Sequence, residues 1–164
     1  MFQKYELGDL PPRPSTPVTA TFSGGALKVT ITDGGKSITM NAKITTPPSG
    51  KASYPAIITI GGSSIPIPAG LATINFENDN IAAQQSSASH GTGLFFNLYG
   101  KSHNAGAMLV WAWGVSRLID GLEITPSANI DSTRLGVTGC SRNGKGPFIV
   151  GAFEPRIALT IPQE

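Results

Sequence analysis

The side chains best suited to covalent chemistry lie in a glycine-flanked turn around residue 141. The turn comprises Gly139, Cys140, Ser141, Arg142, Asn143, Gly144, Lys145 and Gly146. The segment Arg134–Thr138 before it predicts a buried strand, and Pro147–Phe153 after it is predicted as a helix. A serine at such a strand-to-helix turn can project its Oγ above the carboxyl edge of a sheet, in the arrangement called a nucleophile elbow. Ser141 is therefore the candidate nucleophile for an acyl-transfer reaction.

Two other interpretations of this turn remain open on spacing alone. Gly139, Gly144 and Lys145 match the G-x-x-x-x-G-K part of a phosphate-binding loop. Gly146 then stands where that motif needs a serine or threonine to hold Mg²⁺, which argues against nucleotide binding. The elbow motif G-x-S-x-G is also met imperfectly, because its second glycine is displaced by one residue. The remaining interpretation is a purely structural turn that carries a solvated arginine and lysine.

The elements that would position this turn follow from hydrophobic periodicity. Apolar and polar residues alternate on either side of Asp33–Gly35, which predicts a β-hairpin with one solvated face. Tyr54–Ile60 is apolar on both faces, as expected for a parallel strand covered by helices on both sides. The predicted strands are Ala26–Ile31, Ser37–Ile44, Tyr54–Ile60, Ala72–Phe76, Arg134–Thr138 and Ile157–Ile161, the main helix is Ala107–Leu122, and 77–93 is a polar loop. This order predicts an α/β fold with a partly parallel sheet.

Composition limits the class of protein. The 164 residues fit about one domain, and 13% charged residues with 20 Gly and 13 Pro favour a secreted protein. The 12 basic residues are scattered, so no cluster could neutralise a row of phosphates and nucleic acid is not an expected partner. The longest apolar stretch, Ala105–Val115, is far shorter than the ~20 residues that cross a bilayer, so no membrane partner is expected. Met1–Glu6 lacks the apolar core of a signal peptide, so secretion would require an upstream segment.

The turn and four other segments resemble one known family. Gly-Cys-Ser-Arg-Asn-Gly-Lys at 139–145 resembles the signature G-C-S-R-x-G-K of the glucuronoyl esterases, carbohydrate esterases of lignocellulose-degrading fungi and bacteria. The segments Tyr5–Gly8, Asp79–Gln84, Ala112–Arg117 and Ile157–Glu164 resemble fungal members in the same order. The resemblance covers essentially the whole chain. It implies a three-layer α/β-hydrolase fold that is incomplete at the C-terminus, with residues 1–164 as a single partial catalytic domain.

The resemblance also implies roles for four residues. Ser141 would be the nucleophile, Arg142 would stabilise the oxyanion and Lys145 would bind hydroxyls of the glucuronoyl sugar. Glu164 would be the acid of the catalytic triad. The implied substrate is the ester between 4-O-methyl-D-glucuronic acid of glucuronoxylan and lignin alcohols, hydrolysed outside the cell without a metal or organic cofactor. Negative charge develops on the ester carbonyl oxygen during the reaction. A guanidinium and the N–H groups of a helix N-terminus are suited to stabilise this charge.

The catalytic base is the part that we expect outside this sequence. α/β-Hydrolases follow the chain order serine, acid, histidine, whereas His90 and His103 both precede Ser141. Each is more typical of a loop histidine, and as a metal pair they lack a third ligand. We therefore expect the histidine to lie downstream of Glu164 and the 164-residue chain alone to be inactive. The resemblance further implies that Cys140 pairs with a downstream cysteine absent from this chain.

Several other residues could suggest function but are more typical of structure. Trp111 and Trp113 could stack on sugars, but the apolar stripe of their predicted helix favours core packing. Asp131 is an alternative acid that is more typical of a turn. Gly61 and Gly62 end a strand and would form a simple turn or offer a backbone donor to substrate.

Two rival functions remain open. The chain could be a non-catalytic carbohydrate-binding fragment that holds glucuronate or xylan through Lys145. It could also belong to another serine esterase, of the acetyl or feruloyl type, that prefers neutral acyl groups. The match of residues 139–145 to the signature G-C-S-R-x-G-K favours a glucuronoyl ester as the substrate over these two alternatives.

Overall fold

The computed structural model describes residues 3–48, 53–63 and 65–163. Within these ranges, seven strands form one mixed sheet in the order β1-β2-β3-β5-β4-β6-β7. The strands are β1 (Thr19–Ser23), β2 (Ala26–Asp33), β3 (Lys36–Thr45), β4 (Tyr54–Ile60), β5 (Ala72–Phe76), β6 (Ile130–Cys140) and β7 (Ile157–Gln163). Neighbours from β1 to β5 in this order are antiparallel, and β5, β4, β6 and β7 pair in parallel. The carboxyl ends of the parallel strands therefore share one edge of the sheet.

Helices in the described ranges pack together on one face of this sheet. They are α1 (Asn78–Ile81), α2 (Leu94–Tyr99), α3 (Ala107–Glu123) and α4 (Arg142–Phe153), with shorter turns at Gln3–Leu7, Ser87–Ser89 and Pro126–Ala128. One hydrophobic core joins them to the inward side chains of the strands. No helix in the described part of the chain combines the length and apolar character needed to cross a bilayer. The sheet and its helices thus form two layers of the α/β architecture.

The opposite face of the sheet changes character along its width. On β2 and β3 it is polar, with the hydroxyls of Thr30 and Thr39 2.9 Å apart, so the prediction of a hairpin with one solvated face is confirmed. On the parallel strands it is apolar, where Ile57 is buried and Leu159 is 52% exposed. Neither side chain belongs to the hydrophobic core that joins the sheet to the helices, whereas the sequence predicts helices on both faces of β4.

Most predicted elements are confirmed, and the differences have local causes. The six predicted strands and the helix at 107 are present, within a few residues of the predicted ends. The final helix begins at Arg142, directly after the elbow, and not at Pro147 as predicted. β1, α1 and α2 were not predicted, and α1 lies within the predicted polar loop 77–93; four to six residues are too few for a clear periodicity.

Candidate active site

The backbone of Ser141 adopts the strained conformation expected of a nucleophile elbow. β6 ends at Cys140, α4 begins at Arg142, and the serine between them has φ 55° and ψ −127°. Such a conformation is costly for a residue with a Cβ and persists only where the surroundings enforce it. Here the N–H of Ser141 donates to the C=O of Gln163 at 2.9 Å, and its C=O accepts from the N–H of Gly144 at 2.7 Å. The exposed serine is thus held at the carboxyl edge of the sheet.

Two glycines let neighbouring chain segments approach the elbow closely. A Cβ on Gly144 would lie 1.8 Å from the carbonyl oxygen of Gln163, so the first turn of α4 packs directly on the end of β7. A Cβ on Gly61 would lie 1.9 Å from Nδ2 of Asn143, and the φ of Gly61 is +68°. The turn at the end of β4 is therefore in contact with the elbow. A backbone hydrogen bond from Gly61 or Gly62 to substrate stays a prediction.

The guanidinium of Arg142 is anchored by α1, the short helix that follows β5, and by the loop after that helix. Its Nη1 and Nη2 donate to the two carboxylate oxygens of Asp79, each at 2.8 Å, and Nη1 also donates to the C=O of Gln84 at 3.2 Å. Its Cζ lies 5.8 Å from the centroid of the Trp111 ring. The hydrogen bonds from Arg142 lower the pKa of the Asp79 carboxyl below its usual range, against the opposing effect of burial. The pair is therefore fully ionised at neutral pH.

A second contact from the same short helix holds the next residue of the elbow. Nδ2 of Asn78 donates to Oδ1 of Asn143 at 3.1 Å, and Asn78 is only 3% exposed. The consecutive residues 78 and 79 thus hold the consecutive residues 143 and 142. In the sequence, Asp79 was noted only as the first residue of Asp79–Gln84, a segment that resembles fungal family members, and it was given no role. Its place directly after β5 is the signal that could have found it, because the carboxyl ends of β5 and β6 lie at the same edge.

Lys145 is exposed and lies one helical turn after Ser141 on α4. Side chains at this spacing share one face of a helix. The lysine lines a cleft of about 560 Å³ whose other walls include Glu6, Met108, Phe148 and Gln163. Charged, polar and apolar groups thus meet beside the elbow.

The two histidines are engaged elsewhere in the described structure. The ring of His90 packs edge-on against Phe96, with their centroids 5.3 Å apart. Nδ1 of His103 accepts the N–H of Ala105 at 3.1 Å. Among the described residues, neither imidazole is hydrogen-bonded to Ser141, and the expectation that neither is the base stays a prediction. Nor do three His, Cys, Asp or Glu side chains of these ranges form a group that could hold a metal ion.

The remaining predicted residues are structural, or stay untested. Trp111 and Trp113 are 0% and 6% exposed, which confirms core packing. Asp131 accepts from Thr133 and Arg134, and these bonds lower its pKa to about 2, as for a local turn. Cys140 is an exposed thiol without a disulfide in the described part of the chain, so its implied pairing stays a prediction.

Glu164, the predicted triad acid, lies outside the described residues. Its assignment therefore stays a prediction, as do the roles of Ser141, Arg142 and Lys145.

A mixed sheet that ends a parallel strand in a strained, exposed serine at the start of a helix defines the α/β-hydrolase class. Within this class, residues 29–164 match the model of the family described as glucuronyl esterase, fungi. The chain belongs to this family. It is 62% identical, over its whole length, to the 4-O-methyl-glucuronoyl methylesterase of Hypocrea jecorina and 59% identical to that of Podospora anserina.

Solved structures agree with the family assignment. The glucuronoyl esterase catalytic domain of Hypocrea jecorina matches 99% of this chain with a TM-score of 0.95 and 62% identity. A serine-to-alanine mutant of the Sporotrichum thermophile glucuronoyl esterase, in complex with methyl 4-O-methyl-β-D-glucopyranuronate, matches equally with 55% identity. The prediction of an incomplete α/β-hydrolase fold is thereby confirmed, and the described residues form two of its three layers. The chain spans only 35% of the Hypocrea jecorina relative and 44% of each of these two solved chains.

Proposed function

We propose that this chain is the nucleophile-bearing part of a serine esterase that hydrolyses 4-O-methyl-glucuronoyl esters. The observation that carries the proposal is the strained Ser141 at the carboxyl edge of the sheet, next to an anchored Arg142. Two findings support the identity of the acyl group: this chain belongs to the glucuronyl esterase family, and a solved relative is in complex with a 4-O-methyl-glucuronate ester. The finer substrate is the ester that joins glucuronoxylan to lignin alcohols. Such a polymer lies outside the cell, so the protein would act as a secreted enzyme.

The reaction follows from the charges at the elbow. Oγ of Ser141 attacks the ester carbonyl and forms a bond to its carbon, while a histidine base takes the hydroxyl proton. The carbonyl oxygen becomes negative, and the N–H of Arg142 at the start of α4 has no intrahelical acceptor, so it can donate to that oxygen. The Arg142 guanidinium adds a positive charge beside it. The lignin alcohol leaves with the proton, and water then attacks the glucuronoyl-serine and releases glucuronic acid.

The base and the acid of this triad come from different parts of the protein. We assign the acid to Glu164, which directly follows the residue whose C=O accepts the N–H of Ser141. We assign the base to a histidine from outside residues 1–164, because His90 and His103 are held against Phe96 and Ala105. Neither histidine of the described residues is then available to deprotonate the serine. The 164-residue chain alone should lack turnover.

The proposal is tested in a complete catalytic domain. In a chimera, this chain replaces the matching 44% of the Hypocrea jecorina domain, which the TM-score of 0.95 makes structurally compatible. The substrates are methyl and benzyl esters of 4-O-methyl-glucuronic acid. We expect turnover by the chimera, none by the isolated chain, and loss of turnover on Ser141→Ala with the melting temperature kept. Full activity of the Ser141→Ala chimera would contradict the proposal.

The two histidines of the chain provide the matched control. His90→Ala and His103→Ala, singly and together, should leave kcat of the chimera within about twofold of its starting value. Turnover by the isolated chain that disappears with either substitution would mean that this chain supplies its own base, and would contradict the assignment above.

A further inference from the structure

We propose that Asp79 is a positioning residue of this esterase, which fixes the Arg142 guanidinium so that its free edge is available to the oxyanion. The inference rests on the function proposed above, in which Arg142 stabilises that charge. Asp79 itself does not touch the reacting atoms. It acts through Arg142. Its two carboxylate oxygens determine which N–H donors of the guanidinium stay available to a ligand.

The geometry divides the five N–H groups of the guanidinium into two sets. Two bonds to Asp79 and one to Gln84 use three of these donors, on Nη1 and Nη2. Within the described residues, Nε and the second N–H of Nη2 have no acceptor. These two N–H groups lie side by side along one edge of the planar fork, which matches a single oxygen or a pair of oxygens. The bidentate contact thus occupies one edge and leaves the adjacent edge for a ligand.

The anchor restrains both the position and the orientation of the guanidinium. A bidentate pair fixes both the position and the rotation of the fork, which a single hydrogen bond does not. The indole of Trp111 lies 5.8 Å from Cζ and is itself fixed, because its Nε1 donates to the buried C=O of Ala82 at 2.8 Å. The arginine therefore needs little reordering when charge develops. Preorganised charges of this kind are the main source of oxyanion stabilisation.

The ion pair contributes little to folding, which separates a positioning role from a structural one. The side chains of Arg142 and Asp79 are each 37% exposed. Ion pairs with this much exposure are screened by solvent and add little to the stability of a fold. Removing the Asp79 charge should consequently leave the melting temperature almost unchanged while it releases the guanidinium. If the contact were purely structural, removing the Asp79 charge would instead lower the melting temperature.

The test uses kinetics of the chimera with methyl 4-O-methyl-glucuronate. Asp79→Asn keeps the shape of the side chain but removes the charge and one acceptor. We expect kcat to fall roughly tenfold with KM within twofold, because the loss concerns charge that exists only in the transition state. Asp79→Glu, which keeps both oxygens, should recover part of this loss. The control is Glu77→Gln, an exposed carboxylate two residues earlier that bonds to Asn80, and it should leave kcat unchanged.

A double-mutant cycle distinguishes action through Arg142 from a separate effect. Arg142→Gln alone should lower kcat by roughly 10²-fold, the scale of losing one oxyanion donor. In that background, Asp79→Asn should change kcat by less than twofold, since the group it positions is gone. A tenfold loss in both backgrounds, or no loss in either, would overturn the inference. Either result would leave the esterase proposal intact as long as Ser141→Ala is inactive.

A measurement independent of activity follows the guanidinium directly. Rotation about the Cζ–Nε bond of Arg142 can be measured by NMR exchange of its ¹⁵N-labelled η nitrogens in the chimera. We expect slow rotation in the starting protein and rotation at least tenfold faster after Asp79→Asn. Equal rates in the two proteins would overturn the inference.

Discussion

The N–H of Ser141 donates a hydrogen bond to the C=O of Gln163, so the elbow after β6 is fixed to the last described residue of β7. The two residues are 22 positions apart in the chain but adjacent in space, because β6 and β7 pair in parallel with Cys140 opposite Gln163. This bond aligns the carboxyl ends of both strands. The position of the nucleophile therefore depends on how closely α4 can approach β7.

Substituting Gly144 by alanine should test that close approach. The new Cβ would lie 1.8 Å from the carbonyl oxygen of Gln163, and a backbone atom cannot move aside as a flexible side chain does. We expect a loss of about 3 kcal/mol in the free energy of unfolding of the chimera, measured in urea, together with loss of turnover. Gly34→Ala is the control. Its Cβ would meet nothing within 4 Å, so only the backbone strain of about 1 kcal/mol at φ +54° should remain.

Substituting Ser141 by glycine should stabilise the fold relative to Ser141→Ala. Neither variant carries the hydroxyl, so both should be inactive. Glycine adopts φ 55° and ψ −127° without the clash of a Cβ, and we expect the Ser141→Gly chimera to be more stable by about 1 kcal/mol. The measurement is the difference in the free energy of unfolding. Equal stabilities would mean that the elbow stores no backbone strain.

Substituting Lys145 by alanine should distinguish a uronate esterase from an acetyl or feruloyl esterase. A hydrogen bond from a charged group contributes roughly 1.5–3 kcal/mol, so KM for methyl 4-O-methyl-glucuronate should rise at least tenfold. The exposed lysine should not affect the melting temperature. The KM for an acetyl ester should stay within about twofold. An unchanged KM for methyl 4-O-methyl-glucuronate would favour a neutral acyl group as the natural one.

Substituting Glu154 by glutamine should destabilise the protein in a pH-dependent way. Burial acts to raise the pKa of this carboxyl, but hydrogen bonds from Arg156 and Ser116 outweigh it and lower the pKa from 4.5 to about 2. Arg156 also bonds to Asp120 of α3 at 2.8 Å, so the network joins α3 to the end of α4. A depressed folded-state pKa stabilises the fold above the unfolded value of about 4.5, and this stabilisation is lost as the pH falls toward 2.

The expected effect of Glu154→Gln is a loss of roughly 2–3 kcal/mol at pH 7. The difference between the two proteins should shrink as the pH falls from 5 to 2, because protonation then weakens the network in the starting protein as well. Unfolding in urea at a series of pH values measures it. A difference that does not change with pH would contradict the role of the charge.

The elbow could be predicted from the sequence because its residues are contiguous. The residues that hold the elbow in place could not, because they are distant from it in the chain. Ser141 to Lys145 form one motif, whereas Asp79 is 63 positions from Arg142. No local pattern links two residues at that separation without knowledge of the strand order. The alternating hairpin and the buried β4 were predictable, since their periodicity directly reflects which faces are buried.

The start of α4 shows why local preference can fail. Residues 142–147 contain two glycines and Pro147, a composition that favours a turn over a helix. The helix forms because the glycines allow close packing: a Cβ on Gly146 would lie 3.0 Å from the Trp111 ring, and Gly144 faces β7. Tertiary contacts thus decide the helix boundary, and they are invisible in a single segment of sequence.

The central claim is that Ser141 forms a covalent bond to a glucuronoyl group. The most direct test mixes the chimera with methyl 4-O-methyl-glucuronate, quenches with acid within milliseconds and determines the mass of the peptide that contains residue 141. We expect a mass increase of one 4-O-methyl-glucuronoyl group on Ser141, absent in the Ser141→Ala chimera. An adduct on another residue, or turnover by the Ser141→Ala chimera at the original rate, would contradict it.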